Sequence, residues 1–484
     1  MIRLPVLLLP VVMNTVTSHT AVSPSSKTDD PGTTAPTHVE SARGAVALHR
    51  YVMASIWLLP IMAFTTPTDS IGKSWETLDS VKLVILAFGC FGGAFVLYRN
   101  VGHPQFRRVI DPLIPMFLYF AWTVLSVTWS PLKSVSLAQS GSLAALLIFA
   151  TSIAIICTSR TQASKVLLHV NLALLASSLV VLIAYVIDPT LSGMDRVRIH
   201  TGGEALIHPT AAGATASLGL LLPVLCHVIG RFTWAKYLFI PSVLIQGAIV
   251  ILSNSRTATG MAAITIGFVL FWYSTNRQRA VALCLGGAVC LASLIVDPGF
   301  SVISKTAGAS AQYVARGQSG GELMGFSGRA EMWGAIWSEY QKALLIGHGY
   351  FVTSEKGEIL VWNEKHNHDA HNLLLQVLST TGAIGLLIFL LGIVQPALAM
   401  TLLRKGDDFQ RRLFVMLAVA AIWYLGWAQL AVSVMGAIRP ESLVFFALLG
   451  VGVGQSTQMA MPGKKLNRPG REPEKVMAGG SLSA

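Results

Sequence analysis

Charge is scarce in this 484-residue chain: only 12% of its residues are Asp, Glu, Lys or Arg, about half the share of a soluble domain. Hydrophobic residues make up 53%, and apolar runs near 20 residues recur from Leu48 to Val453. A soluble multidomain protein is excluded. Cysteine is also sparse. Cys90, Cys157, Cys226, Cys284 and Cys290 all fall inside apolar runs, with no Cys-x-x-Cys and no disulfide framework, so they read as small packing residues. Nucleotide machinery is absent: there is no Gly-x-x-x-x-Gly-Lys-Ser/Thr and no Gly-x-Gly-x-x-Gly following a strand. A substrate for this chain must arrive already activated, and no cofactor is implied. No internal repeat is visible.

What is present is a series of membrane spans. A bilayer core of roughly 30 Å needs about 20 apolar residues per helix. That rule predicts an all-α polytopic membrane protein with about 12 transmembrane helices, near residues 48–64, 81–98, 112–129, 137–157, 166–187, 211–229, 237–252, 258–275, 280–296, 373–402, 412–434 and 440–457. The net charge of +12 invites a nucleic-acid partner, but its distribution excludes one. Arg99, Arg107, Arg108, Arg160, Lys165, Arg231, Lys236, Arg277, Arg279, Arg404, Lys405, Arg411 and Arg412 occupy alternate loops, and Lys464, Lys465, Arg468, Arg471 and Lys475 follow the last span. This positive-inside pattern puts both termini in the cytoplasm. Residues 1–47 read as a disordered cytoplasmic tail, 48–296 as spans one to nine, 297–371 as one large periplasmic loop, 372–457 as spans ten to twelve, and 458–484 as a basic cytoplasmic tail. Residues 1–13 are short and apolar, but two prolines interrupt them, and cleavage would leave the N-terminus outside.

The outer side carries unusual polarity. Arg196, Arg198, His200, Glu204 and His208 crowd one segment, Ser253-Asn-Ser-Arg256 forms a short turn, and Arg439 stands before Pro440. Positive-inside selection disfavours arginine in such short outer loops. Guanidinium offers bidentate hydrogen bonds to phosphate, so Arg256 suits an anionic ligand; a salt bridge or contact with lipid phosphate is the plainer alternative. In the large loop, Gly328-Arg329-Ala-Glu-Met-Trp333 opens a predicted helix in which Trp333, Ile336, Trp337, Tyr340 and Leu344 share one face. That face suits the headgroup region or packing on other parts of the loop.

Where the loop re-enters the membrane stands His366-Asn-His368-Asp-Ala-His371-Asn372. Ionisable residues at such positions are functional candidates by default. The spacings are loose for a metal site, and no metal is expected. A free imidazole with pKa near 6.5 is largely neutral at neutral pH and can take a proton from a hydroxyl, so His371 reads as a general base. Alternatively it caps the helix and anchors the loop. Asn372 and Gln376 stand one helical turn apart and can orient sugar or phosphate oxygens. Gly382 and Gly385 read as close-packing positions between helices.

His371-Asn372, nine residues, then Gly382-x-x-Gly385 resembles the signature of the O-antigen ligase and O-antigen polymerase superfamily, bacterial enzymes that transfer glycans from a polyprenyl diphosphate carrier. The order Ser-Asn-Ser-Arg256, Gly-Arg329 with Trp333, Gly347-His-Gly349, His371-Asn372 and Gly382-x-x-Gly385 matches the superfamily's core over roughly residues 190–400. The resemblance implies a GT-C-like helical fold and a metal-independent inverting glycosyltransferase of the bacterial inner membrane. Arg256 and Arg329 would bind the diphosphate, and His371 would be the catalytic base. Arg196 or Arg198 corresponds, by position alone, to a further functional arginine. The expected donor is an undecaprenyl-diphosphate-linked glycan. The acceptor is a glycolipid or glycan of lipopolysaccharide or exopolysaccharide, or a protein serine for an oligosaccharyltransferase. The rival class is a transporter or flippase of lipid-linked glycans, in which the arginines would guide an anionic substrate; such proteins place their sites near the midplane.

Overall fold

Long apolar runs fold as helices because a helix satisfies every backbone N–H and C=O within its own segment, and bilayer hydrocarbon offers no other partner. The computed structural model describes residues 37–62, 84–187, 209–277 and 329–459, apart from 104, 254, 357–358, 362–364, 368–369, 432–433 and 436–437. Contacts divide the chain between Glu40 and Ser41. Of the first unit only 37–40 are described, and these are helical; all other described residues belong to the second unit.

Helix α1 (Thr37–Ile56) and the short α2 (Leu59–Met62) precede α3 (Val84–Tyr98), which contains a π turn at Phe88–Gly92. Then come α4 (Phe106–Ser126), α5 (Lys133–Ile156), α6 (Arg160–Ile187), α7 (Pro209–Val224, prolonged by a π turn at Leu225–Ile229), α8 (Ala235–Leu252) and α9 (Arg256–Tyr273). After α10 (Arg329–Tyr340), β1 (Ile359–Val361) and β2 (Lys365–Asn367) pair antiparallel, with Ile359 opposite Asn367. Helices α11 (Leu373–Met400), α12 (Asp408–Ala428) and α13 (Pro440–Met459) complete the described chain.

Among the described residues, nine helices are long and apolar enough to cross a membrane. The expected spans 81–98 and 258–275 correspond to α3 and α9, which stand outside that set, and 280–296 lies outside the described residues. Four boundaries differ from the hydropathy reading by six residues or more, and two of these are the starts of α4 and α6, at Phe106 and Arg160 in place of 112 and 166. Helix α1 begins at Thr37, inside the stretch read as tail, because its first turns are polar and hydropathy does not register them. Helix α12 ends at Ala428, short of the expected 434, and Gln429 closes it with its N–H on the Gly426 carbonyl.

Helices α7 and α13 form the centre, each with 83% of its apolar window buried, against 28% for the peripheral α8. Small residues make that possible. A Cβ at Gly450 would lie 2.5 Å from the Ala150 carbonyl, and one at Gly454 would lie 2.4 Å from that of Ala154. This Gly-x-x-x-Gly row lets α13 lie against α5 with the backbones in contact, as membrane helices do where van der Waals packing is the main attraction. On α7, Gly213 receives Ser253 and Ser255, and Gly219 receives Gln246.

Helix α11 is broken. Its 28 residues include Gly382 at φ 68°, ψ −175°. The segment 344–349 is inserted at the break and replaces the lost helical hydrogen bonds. His348 N–H and Gly349 N–H donate to the carbonyls of Ser379 (3.1 Å) and Thr380 (2.9 Å). Ala383 N–H and Ile384 N–H donate to those of Leu344 (2.9 Å) and Leu345 (3.2 Å). The Trp122 indole donates to the Thr381 carbonyl at 3.0 Å. Irregular backbone persists at membrane depth only when its polar groups are satisfied in this way. From Gly382 to Met400 the helix rises about 27 Å at 1.5 Å per residue, close to the thickness of a hydrocarbon core.

Gly382 and Gly385 were expected to be packing positions between helices. Gly385 does make room, for Thr381 and Trp122. Gly382 has a different task. Its φ lies where a side chain is disfavoured, and a Cβ there would stand 2.2 Å from the Leu345 carbonyl oxygen. It is the break itself.

Candidate functional site

Five of the residues singled out in the sequence stand at four helix starts. Arg256 is the first residue of α9, and Arg329 the first of α10. Asn372 is the N-cap of α11, with His371 before it, and Arg439 precedes Pro440, the first residue of α13. Each start carries unsatisfied backbone N–H groups and the positive end of a helix dipole, which together favour anions. All five side chains are partly exposed, and Arg256, Arg329, His371 and Arg439 all take part in interactions with neighbours.

Contacts between the elements gather these starts at one end of the bundle. Helix α10 packs Met332 and Ile336 on Ala370, with Trp333 and Leu375 alongside. The aromatic face expected for this helix thus seats on the start of α11, while Trp337 remains 48% exposed. Asn372 Oδ1 accepts from Leu375 N–H at 3.0 Å, and its Nδ2 donates to the Gln429 carbonyl at 3.4 Å, joining the start of α11 to the end of α12. Pro440 shares a small cleft with Ser177, Ser178 and Val181 of α6, Ala211, Ala212 and Thr215 of α7, and Ile249 of α8. Next to that cleft, Gly213 abuts the serines that precede Arg256.

His371 itself has φ 47°, an uncommon conformation for a residue with a side chain, one of the sparsely populated states that cost about 1–3 kcal/mol and persist only where the surroundings enforce them. Gln376 is fully buried. Its Oε1 accepts from Ala370 N–H at 2.5 Å, so its carbonyl faces the backbone before His371 and not the surface.

Residues 347–354 of the large loop are part of the protein core. Gly347 and Gly349 have φ 65° and 107°, and a Cβ at Gly349 would lie 2.4 Å from that of Ser130. Tyr350 is fully buried; its N–H donates to Ser126 Oγ at 3.0 Å, and its carbonyl accepts from Ser136 Oγ at 2.8 Å. His348 donates from Nε2 to the Glu339 carbonyl at 2.9 Å. Partial desolvation pushes the Glu339 carboxyl up, but Lys342 Nζ at 2.6 Å and the Glu355 N–H outweigh it and hold the group below the usual carboxylate range.

Arg196, Arg198 and His368 lie outside the described residues, and of His366 only the backbone, in β2, is described. Among the described residues, no cluster of three or more His, Cys, Asp or Glu could hold a metal ion. Hydropathy missed Glu441, which is 2% exposed in the first turn of α13 and whose carbonyl accepts from Tyr424 Oη at 2.8 Å. A carboxylate opening an apolar run is the signal that marks it.

Residues 241–390 match the family model described as O-antigen ligase. No curated protein matches the chain significantly. The matched range contains Arg256, Arg329, His371, Asn372, Gln376, Gly382 and Gly385; Arg196, Arg198 and Arg439 fall outside it. With nine helices able to span a membrane among the described residues, the match marks a multi-pass membrane protein that processes glycans, of ligase or polymerase type.

Proposed function

We propose that this chain, which carries an O-antigen ligase domain over residues 241–390, transfers a glycan from undecaprenyl diphosphate to an acceptor hydroxyl at the periplasmic face of a bacterial inner membrane. The acceptor is a glycolipid or a growing glycan. The observation that carries the reading is the position of His371. It stands beside the N-cap of α11, partly exposed, where the loop rejoins a membrane helix.

His371 takes the proton of the acceptor hydroxyl as its oxygen attacks the anomeric carbon of the donor. The bond from that carbon to the diphosphate oxygen breaks with inversion, and the diphosphate leaves on its carrier. Arg256 and Arg329 neutralise the growing negative charge, helped by the N–H groups of the helices they open. Asn372 and Arg439, with Arg196 or Arg198 from the preceding loop, contribute to substrate binding. Gln376 contributes through the backbone it holds. Two arginines on a diphosphate can do the work of a divalent cation, which is why no metal is required. A flippase reading would need the arginines to line a path towards the midplane. Arg256, Arg329 and Arg439 instead stand at helix starts.

The test is transfer by purified protein from an undecaprenyl-diphosphate-linked glycan to an acceptor. Transfer is expected to survive EDTA and to be lost in His371→Ala. Near-normal transfer by His371→Ala would remove the general base from the mechanism. Loss in EDTA with recovery on adding a divalent ion would require a metal site.

A further inference from the structure

Residue 370 is held in an unusual way. Ala370 is fully buried, and both polar groups of its backbone are engaged by side chains from two different helices. Its N–H donates to Gln376 Oε1 of α11 at 2.5 Å, and its carbonyl accepts from Trp333 Nε1 of α10 at 2.8 Å. On the other side of His371, Asn372 is fixed as the N-cap at φ −150°, ψ 120°. Between them His371 is kept at φ 47°.

We propose that Trp333 and Gln376 are positioning residues for His371: they clamp the Ala370 backbone from both sides and so set the direction in which the imidazole leaves the chain. The inference rests on the reading of His371 as the general base. The physical argument is one of degrees of freedom. A loop that only needed anchoring would be held by the packing of Met332, Ile336 and Leu375 around Ala370. Hydrogen bonds on both faces of one residue fix its orientation as well as its place. With residues 370 and 372 both fixed, the backbone of His371 has no softer conformation to relax into, and only its side-chain torsions remain. A base must meet its hydroxyl within hydrogen-bond distance, and a displacement near 1 Å can cost about 100-fold in rate. The clamp also explains why an amide and an indole stand here: each reaches one backbone group with a directional bond.

The experiment compares Trp333→Phe, Gln376→Met and Gln376→Glu with the unaltered protein. The first keeps a ring but removes the N–H. The second keeps the length but removes the acceptor. The third keeps an acceptor in the first turns of α11, where the helix dipole tolerates a carboxylate. Trp333→Phe and Gln376→Met should lower kcat about 10- to 100-fold, leave the KM for carrier-linked donor within about twofold, and move the acid limb of the pH–rate profile. Gln376→Glu should recover most of the rate. Hydrogen exchange across 370–376 should quicken in Gln376→Met, which reports the clamp without reference to catalysis. Added to His371→Ala, neither substitution should cost further rate, because it acts through a group already gone. Unchanged kcat and pH profile in Trp333→Phe and Gln376→Met, with His371→Ala inactive, overturns the positioning role and leaves the base in place. Active His371→Ala, with exchange quickened in Gln376→Met, overturns the base and reduces the clamp to a structural tie.

Discussion

The two ends of the helix bundle handle polar groups by different means. At the end away from His371, charge is plentiful and met by ordinary devices. Arg160 pairs with Asp407 and stands 5.0 Å over the Phe409 ring. Asp407 and Gln410 form a capping box at the start of α12, at 3.0 and 3.1 Å, and Asp408 pairs with Arg412 one turn on. Gln410 is buried, but the charged side chains Arg160, Asp407 and Asp408 are 59%, 44% and 62% exposed, so water can stand in for any one of these. At the His371 end, backbone does the corresponding work. Apart from Arg231, the positive-φ residues among those described all lie here: Gly347, Gly349, Phe351, His371 and Gly382. Around them backbone hydrogen bonds join segments far apart in the chain, from His348 and Gly349 N–H to the carbonyls of Ser379 and Thr380 and from Ala383 and Ile384 N–H to those of Leu344 and Leu345. One end is assembled from replaceable parts and the other from parts that require each other, so substitutions of similar size should have very different effects at the two.

The widest separation is expected between glycines. Gly382→Ala places a Cβ 2.2 Å from a carbonyl oxygen at a positive φ, which should cost more than about 3 kcal/mol. Detergent-solubilised protein should be scarce, aggregated and inactive. Gly102→Ala, at the other end, meets nothing within 4 Å and should leave yield and melting temperature unchanged. A well-folded Gly382→Ala would break the contrast.

His371→Ala comes next. Folding should suffer only on the order of 1 kcal/mol, because His371 already carries its Cβ at positive φ and alanine adds no new strain, while transfer falls about 10²- to 10⁴-fold and carrier-linked donor still binds. Comparing binding with turnover on the same preparation checks this.

Arg329→Ala should weaken donor binding and transfer together, each about 10- to 100-fold, the worth of a hydrogen bond to a charged group. Lysine there should recover only part, having the charge without the fork. Loss of turnover with unchanged donor affinity would move Arg329 away from the diphosphate.

The smallest effects belong to the far end. Asp407→Ala removes a cap and should cost about 1 kcal/mol. Arg160→Ala, from a pair 59% and 44% exposed, should cost roughly 0–1 kcal/mol. Both should leave transfer intact in a thermal-shift and activity series. A large loss of activity from either would mean that the two ends are coupled.

The helical membrane architecture, the helix at α10 and the placement of Arg256, Arg329 and His371 at segment starts were legible in the residues alone. The length of an apolar run set against a bilayer's thickness is a one-dimensional question, and helix starts carry local marks such as Asn372 at the cap. The break in α11 was not legible, because Leu373 to Met400 is apolar enough on average to read as one span in spite of Ser379, Thr380 and Thr381 before Gly382. What distinguishes Gly382 is a carbonyl at Leu345, which reaches it only in the folded chain. Gln376 shows the same division. Its spacing put it one turn from Asn372, where an amide could serve substrate oxygens equally well. Only folding brought Ala370 N–H to within 2.5 Å of it. Composition and run length determined that this protein crosses a membrane and where its polar residues gather. Tertiary structure decided which of those residues hold backbone and which face outward, because a hydrogen bond is chosen by distance in space and leaves no trace in the spacing of the two residues that make it.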